Sequence, residues 1–259
     1  MTVIVSWNIN SVRIRIDLLK ELIKDLNPDV ILLQEIKCAN EDFPNFYSSL
    51  DYNAVINGQK GKYGVAILIK ESLSYRTLDI NNEIIKRESR TNFIYIEDLD
   101  LQILNVYTPN GNPMDDKEKF EFKISWLDEI NNIAKNSINN IENIIIAGDF
   151  NELENEKDAK NFQNWEDDAL GNIKVRQKFR EILSSGLTNV VRLFNAPGEK
   201  SSFWDYQKAC WERNDGLLID HFLVSPKFTS LIKSINFESR YRGLTRPSDH
   251  IPVWISLDI

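Results

Sequence analysis

Short apolar, β-rich runs recur along the whole chain, and that recurrence limits the possible folds more than any other feature. They cover Thr2–Trp7, Val30–Gln34, Tyr63–Ile69, Asn92–Ile96, Gln102–Val106, Asn143–Ala147, Leu217–Val224 and Ile251–Ile255. Several are continuous rather than alternating, as strands buried on both faces must be. Helical patterns separate some of them. Arg13–Leu26 repeats apolar residues at Ile14, Leu18, Leu19, Leu22, Ile23 and Leu26 with a helical period. Asn27-Pro28 closes it, because the residue before proline is pushed out of the helical region. Lys117–Ala134 and Arg176–Ser185 are two further helices, the second closed by Gly186. Asn92–Ile96 and Gln102–Val106 read as a hairpin. Hairpins mixed with strand–helix–strand units favour one domain over residues 1–259, two packed sheets with helices outside. The least patterned stretch, Glu152–Val175, is acidic and Asn-rich. It reads as a loop over a site or as a surface insertion.

Composition excludes several classes. An apolar content of 42% in 259 residues supports a sizeable core and rules out wholesale disorder. No apolar run approaches the ~18 residues that a membrane span needs. The opening MTVIVSWNIN lacks the basic and small-residue features of a signal peptide, so a cytoplasmic location is expected. Cys38 and Cys210 are the only cysteines, too few for a disulfide framework or a thiolate zinc site. The net charge of −8 argues against a nucleic-acid coat protein. A locally basic cleft stays open, since steering depends on where charge lies. Cations do cluster, at Arg13 with Arg15, Lys60 with Lys62, Arg87 with Arg90, Lys117 with Lys119 and Lys123, and Arg240 with Arg242 and Arg246.

Acids and amides gather at strand ends, where ligands bind in layered folds. Asn8 and Asn10 follow the first run, two residues apart and so on one side of an extended backbone. They could equally cap a turn. Glu35 ends the second run, and Asp149 and Asn151 end Asn143–Ala147 in a Gly-Asp-Phe-Asn sequence with no packing rationale. Asp220 lies inside an apolar strand, where an unpaired charge is costly. Asp249 and His250 precede the last run. His221, among apolar neighbours, reads as structural. Hard oxygen donors without thiolates select Mg²⁺, with Mn²⁺ as a substitute. A divalent ion plus an imidazolium suits phosphodiester hydrolysis. Glu35 can then carry ligation, Asp149 can activate water, and Asn151 can hold its geometry. His250 needs an orienting carboxylate. Asp220 fits better than Asp249, which points to the other side of an extended chain and is free to face the metal.

The motifs WNINSVR (7–13), LQEIK (33–37), YGVAIL (63–68), NVYTPNG (105–111), AGDFN (147–151), SFWDYQ (202–207), GLLIDHFLVS (216–225) and SDHIPV (248–253) resemble, in order, those of the exonuclease III family of apurinic/apyrimidinic endonucleases. The resemblance covers nearly the whole chain. It implies a DNase I-like α+β fold, a four-layer α-β-β-α sandwich. It also implies Mg²⁺-dependent hydrolysis of double-stranded DNA 5′ to abasic sites, with 3′→5′ exonuclease and 3′-phosphatase or phosphodiesterase activity at 3′ ends, by a monomer that uses no membrane. By position, Asn8, Asn10 and Glu35 surround the metal with Asp249 near it. Tyr107 and Asn110 contact the scissile phosphate. Asp149 and Asn151 activate water, and Asp220 orients His250. Phe203 and Trp204 are candidates for an apolar wall that accepts a flipped, base-free sugar. Arg13 and Lys60 are candidate phosphate contacts. The chain departs from relatives at Leu217, where some have a pocket aromatic, at Asn189, where many have aspartate, and at Asn112, where some have an arginine that enters DNA. Two other readings remain: a phosphatase or phosphodiesterase of the same superfamily acting on a small phosphoester, and a non-catalytic binding module. The latter predicts the loss of a metal or water residue, and none is missing.

Overall fold

The computed structural model describes residues 1–259. Its strands are β1 (Thr2–Asn8), β2 (Val30–Gln34), β3 (Tyr52–Asn57), β4 (Val65–Lys70), β5 (Tyr75–Thr77), β6 (Thr91–Ile96), β7 (Leu101–Tyr107), β8 (Ile144–Asp149), β9 (Thr188–Asn189), β10 (Asp220–Val224), β11 (Ile232–Phe237) and β12 (Val253–Leu257). The α-helices are α1 (Val12–Leu26), α2 (Glu83–Lys86), α3 (Lys117–Asn139), α4 (Ile173–Ser184), α5 (Val190–Phe194) and α6 (Pro226–Thr229). The strands form two six-stranded sheets, ordered β11-β12-β1-β2-β4-β3 and β5-β6-β7-β8-β10-β9. Each sheet holds one parallel pair, β1 with β2 and β7 with β8, and is otherwise antiparallel. A parallel pair needs a long crossover, and α1 and α3 supply the two.

The continuous apolar runs have a simple cause. Along β2, Val30 and Leu32 enter the core between the sheets, while Ile31 and Leu33 enter the core beneath α1. Along β8, Ile145 and Ala147 face the other sheet, while Ile144 and Ile146 face α3 and α4. Both faces of each central strand are therefore buried, giving helix, sheet, sheet and helix layers. Leu19 of α1 is fully buried against this framework, worth about 1.5–3 kcal/mol.

Four strands, β3, β5, β9 and β11, carry no continuous run and were not among the expected ones. All lie at or next to a sheet edge, where one face meets solvent. Only Asp220–Val224 of the Leu217–Val224 run joins a ladder, while Leu217 forms isolated bridges to Ala159 and Phe203. Segment 152–175 consists of turns and short 3-10 stretches as far as Asn172, and its last three residues begin α4, ahead of the helix start expected at Arg176. Its Leu153, Ala159 and Leu170 pack with Leu217 and Ile219, which seats it as a folded loop at the end of the second sheet. No helix is long and apolar enough to cross a membrane.

Candidate active site

Register brings the motif residues together. Asn8 pairs with Gln34 at the end of the first parallel pair, and Tyr107 pairs with Asp149 at the end of the second. Asp149 also pairs with Asp220 across β8 and β10. The two sheets present these ends side by side, and buried amides fix the alignment. Gln34 donates to the Asn105 side-chain oxygen at 2.8 Å, and the Asn105 amide donates to the Leu33 and Ala66 carbonyls at 3.1 Å each. Above them the Asn8 amide donates to Glu35 Oε1 at 3.0 Å and to Asp149 Oδ2 at 2.8 Å. One side chain from the first sheet therefore joins carboxylates from both.

Residues of this edge adopt left-handed backbone, among them Asn10 (φ 46°), Glu35 (φ 51°), Lys37 (φ 52°) and Asn151 (φ 50°). Asparagine tolerates that region. Glutamate there costs of order 1–3 kcal/mol, which the surrounding contacts offset. Glu35 Oε1 accepts from the Tyr107 hydroxyl at 2.9 Å, and Lys37 Nζ lies 2.7 Å from Oε2. Burial pushes the Glu35 carboxyl up, but Lys37 and the Asn8 amide outweigh it and hold the group below its ordinary value. Lys37 also donates to Asn10 Oδ1 at 2.6 Å, and the Asn10 amide donates to Asp249 Oδ1 at 2.9 Å. Two oxygens from two loops thus already converge on one cation, the Lys37 ammonium. A connected set of Asn8, Asn10, Glu35 and Asp249 offers only hard oxygens, which fits a magnesium-type ion.

Beside it lies a second cluster. His250 Nδ1 is 2.8 Å from Asp220 Oδ2, and its Nε2 is 3.6 Å from Asp149 Oδ2. The ring is 4% exposed and both acids 1%. Burial opposes a charged imidazole, yet the Asp220 and Asp149 carboxylates dominate and raise His250 to about 10. Burial raises Asp149 to about 7, helped by Asp220 and opposed by His250 and the Asn8 amide. Ligand atoms of Asp149, Asp220 and His250 lie within 4.8 Å of one another, a spacing that a metal could use. With a carboxylate near each ring nitrogen of His250, the trio is arranged to hold and move a proton. The Asn151 backbone N–H donates to Asp149 Oδ1 at 2.9 Å, and its amide donates to the Thr108 carbonyl at 3.0 Å.

Residues 5–250 match the endonuclease/exonuclease/phosphatase family. The chain belongs to that family. It is 30% identical to exodeoxyribonuclease III of Haemophilus influenzae, over 96% of this chain and 97% of the relative. Its fold superposes over the whole length of both chains on a 3′ phosphatase from Neisseria bound to a product DNA hairpin, with a TM-score of 0.92 at 28% identity. An AP endonuclease from Archaeoglobus fulgidus gives 0.93 at 26% identity, again over both whole chains. The protein is a phosphodiester-hydrolysing enzyme.

The family member's remaining candidates separate into those near the site and those that are not. Asn110 is exposed on the rim of a recess of about 420 Å³ shared with Tyr63, Arg90 and Tyr107. Arg13 is exposed at the start of α1, and Lys60 is exposed in the β3–β4 turn, on the same edge as Glu35. Phe203 is half-buried, its ring centroid 4.9 Å from that of His250. Trp204 is a correction. It is 4% exposed and packed edge-on against Trp211, and its indole donates to Asn214 at 3.3 Å. A Cβ on Gly216 would come within 2.5 Å of that indole nitrogen. Trp204 is therefore a support behind the wall, not a surface for DNA. Leu217, 1% exposed, offers no wall either. Asn112 donates to both Asp168 oxygens at 3.0 and 3.1 Å, which ties it to the 152–175 loop. Asn189 donates to Glu154 at 2.7 Å and lies 3.1 Å from His221 Nδ1. Burial lowers His221 to about 3, so it is a neutral structural residue as expected.

Sequence reasoning gave no role to several residues that shape the site. Lys37 had a signal, its place two residues after Glu35. Arg90 is 4% exposed, with its guanidinium 3.9 Å from the Tyr63 ring centroid and 4.6 Å from that of Tyr107. Lys123, placed in a cation cluster, is fully buried and donates to the Asn151 carbonyl at 2.5 Å. Nothing in helical periodicity separates such a lysine from a solvated one.

Proposed function

We propose that this enzyme is a divalent-metal-dependent DNA-repair nuclease, hydrolysing the phosphodiester 5′ to abasic sites in double-stranded DNA and processing 3′ ends. The observation that carries this reading is the Asn8 amide joining Glu35 to Asp149, whose Oδ2 also lies 3.6 Å from His250. Glu35, Asn8, Asn10 and Asp249 would hold Mg²⁺, or Mn²⁺ in its place, which when bound supplies positive charge to a phosphate oxygen. Asp149, near neutrality, takes the proton of the attacking water, and the Asn151 N–H holds the carboxylate in place. His250, kept protonated by Asp220, donates a charged hydrogen bond to a phosphate oxygen. The Tyr107 hydroxyl and the Asn110 amide would contact the phosphate from the second sheet. The reading extends to one domain over residues 1–259, acting as a cytoplasmic monomer. Names and activities of the relatives support the DNA substrate.

The deciding assay is incision of a duplex carrying one tetrahydrofuran abasic analogue, with Mg²⁺ and then with EDTA. Incision should require the ion. Incision that survives chelation overturns the metal assignment. Hydrolysis of inositol phosphates without DNA incision favours the small-phosphoester alternative.

A further inference from the structure

Beyond His250 the surface opens into a recess that the chemistry above leaves unused. Its volume is about 340 Å³, and its lining includes Trp165, Phe203, Asn164, Gln207, Asp205 and Arg213. It begins at Phe203, 4.9 Å from His250 between ring centroids. The two aromatics come from different segments, and both rest on one apolar patch that includes Leu153, Leu170, Leu217 and Ile219. That patch is closed: Leu217 is 1% and Ile219 2% exposed. No room lies deeper for a bare sugar, and the open space lies outward between two half-buried rings.

Trp165 is held in place. Its N–H donates to the Phe162 carbonyl at 2.8 Å, its carbonyl accepts from Asp168 at 3.1 Å, and a Cβ on Gly171 would overlap that same carbonyl. These bonds fix the Trp165 backbone, and its half-buried indole rests on the apolar patch; an aromatic ring so seated is a stacking platform, since every base has a π-face. Amides such as Asn164 and Gln207 can both donate to and accept from a base edge. A volume at the lower end of the ~300–1,000 Å³ typical of ligand pockets suits a whole nucleoside and leaves a base-free deoxyribose poorly held.

We infer that Trp165 and Phe203 form a nucleobase subsite, through which the enzyme holds the base-bearing nucleotide of a 3′ end. This rests on the nuclease reading and narrows it. The test compares wild type with Trp165→Ala on two duplexes, one with a normal recessed 3′ end and one with an internal tetrahydrofuran site. Removal of the 3′-terminal nucleotide should fall about tenfold or more, chiefly through KM, with tetrahydrofuran incision within about twofold of wild type and most 3′ activity retained by Trp165→Phe. An unchanged 3′ activity, or an equal fall on both duplexes, overturns the subsite. If Trp165→Ala fails to fold, wild type alone decides: it should remove a normal 3′ nucleotide at least tenfold faster than a 3′-terminal abasic one, and equal rates overturn the inference. If wild type cuts neither duplex, the nuclease reading itself fails.

Discussion

At the level of single residues, the site depends on charges whose partners are buried with them. Asp149→Asn removes the carboxylate proposed to activate water but keeps the side-chain volume and one acceptor, which can still take the Asn151 N–H. Turnover should fall by about 10²–10⁴, with DNA affinity in a gel-shift titration within a fewfold of wild type. Near-normal turnover would refute the assignment of the base. Lys123 and Glu152 are two further buried ionisable groups beside the site. Both are fully buried, and neither Glu152 oxygen has a hydrogen-bond partner. Burial lowers Lys123 to about 8 and raises Glu152 to about 8. The Lys123 ammonium bonds the Asn151 carbonyl, not Glu152. Lys123→Met leaves that part-buried carbonyl without its donor and should cost about 1–3 kcal/mol in urea unfolding. A stability unchanged from wild type would show that the bond is not needed.

Among the elements, the parallel pairs set the geometry, because their ends deliver Glu35 and Asp149. At Gly148 the β7 backbone leaves no room for a side chain on β8. The glycine's φ is 147°, and a Cβ there would overlap the Val106 carbonyl oxygen. Gly148→Ala should therefore push the strands apart and destabilise the fold by about 2 kcal/mol or more, with activity lost together with the thermal midpoint. A midpoint unchanged from wild type would show that the close approach is not needed. The central strands were legible because burial on both faces makes a continuous apolar run. β3 and β11 were not, because a strand with one wet face has a weaker pattern. The three long helices α1, α3 and α4 were legible from periodicity, although α3 runs past Ala134 to Asn139, where no proline or glycine stops it; the four- and five-residue α2, α5 and α6 are too short to show a period and were not.

Across the whole molecule, stability and binding should depend on solution conditions in ways set by buried and exposed charge. His221 titrates at about 3 in the fold against an ordinary 6.5, so the unfolded chain takes up its proton first. The stability that a neutral His221 contributes is therefore lost as pH falls below about 6.5. Between pH 7 and pH 5 the advantage of wild type over His221→Gln should shrink by about 2 kcal/mol, read from urea curves. A constant difference would mean that His221 is not neutral in the fold. For DNA, exposed Arg13 and Lys60 act against a net charge of −8, so affinity should fall steeply from 50 to 200 mM salt. A flat response would remove these cations from the interface.

The residues themselves determined the layered fold and the kinds of donor in the site, because period and chemical type are local properties. Asp220 as the partner of His250 was also readable, since neighbours in an extended chain point to opposite sides. Distance was not readable. Only the packing of two sheets brings Asn8 between Glu35 and Asp149, and puts the Lys37 ammonium where Glu35 and Asn10 converge. The same holds for burial: Trp204 and Lys123 look like surface or groove residues in one dimension, and become a wall support and a buried loop anchor once other segments cover them.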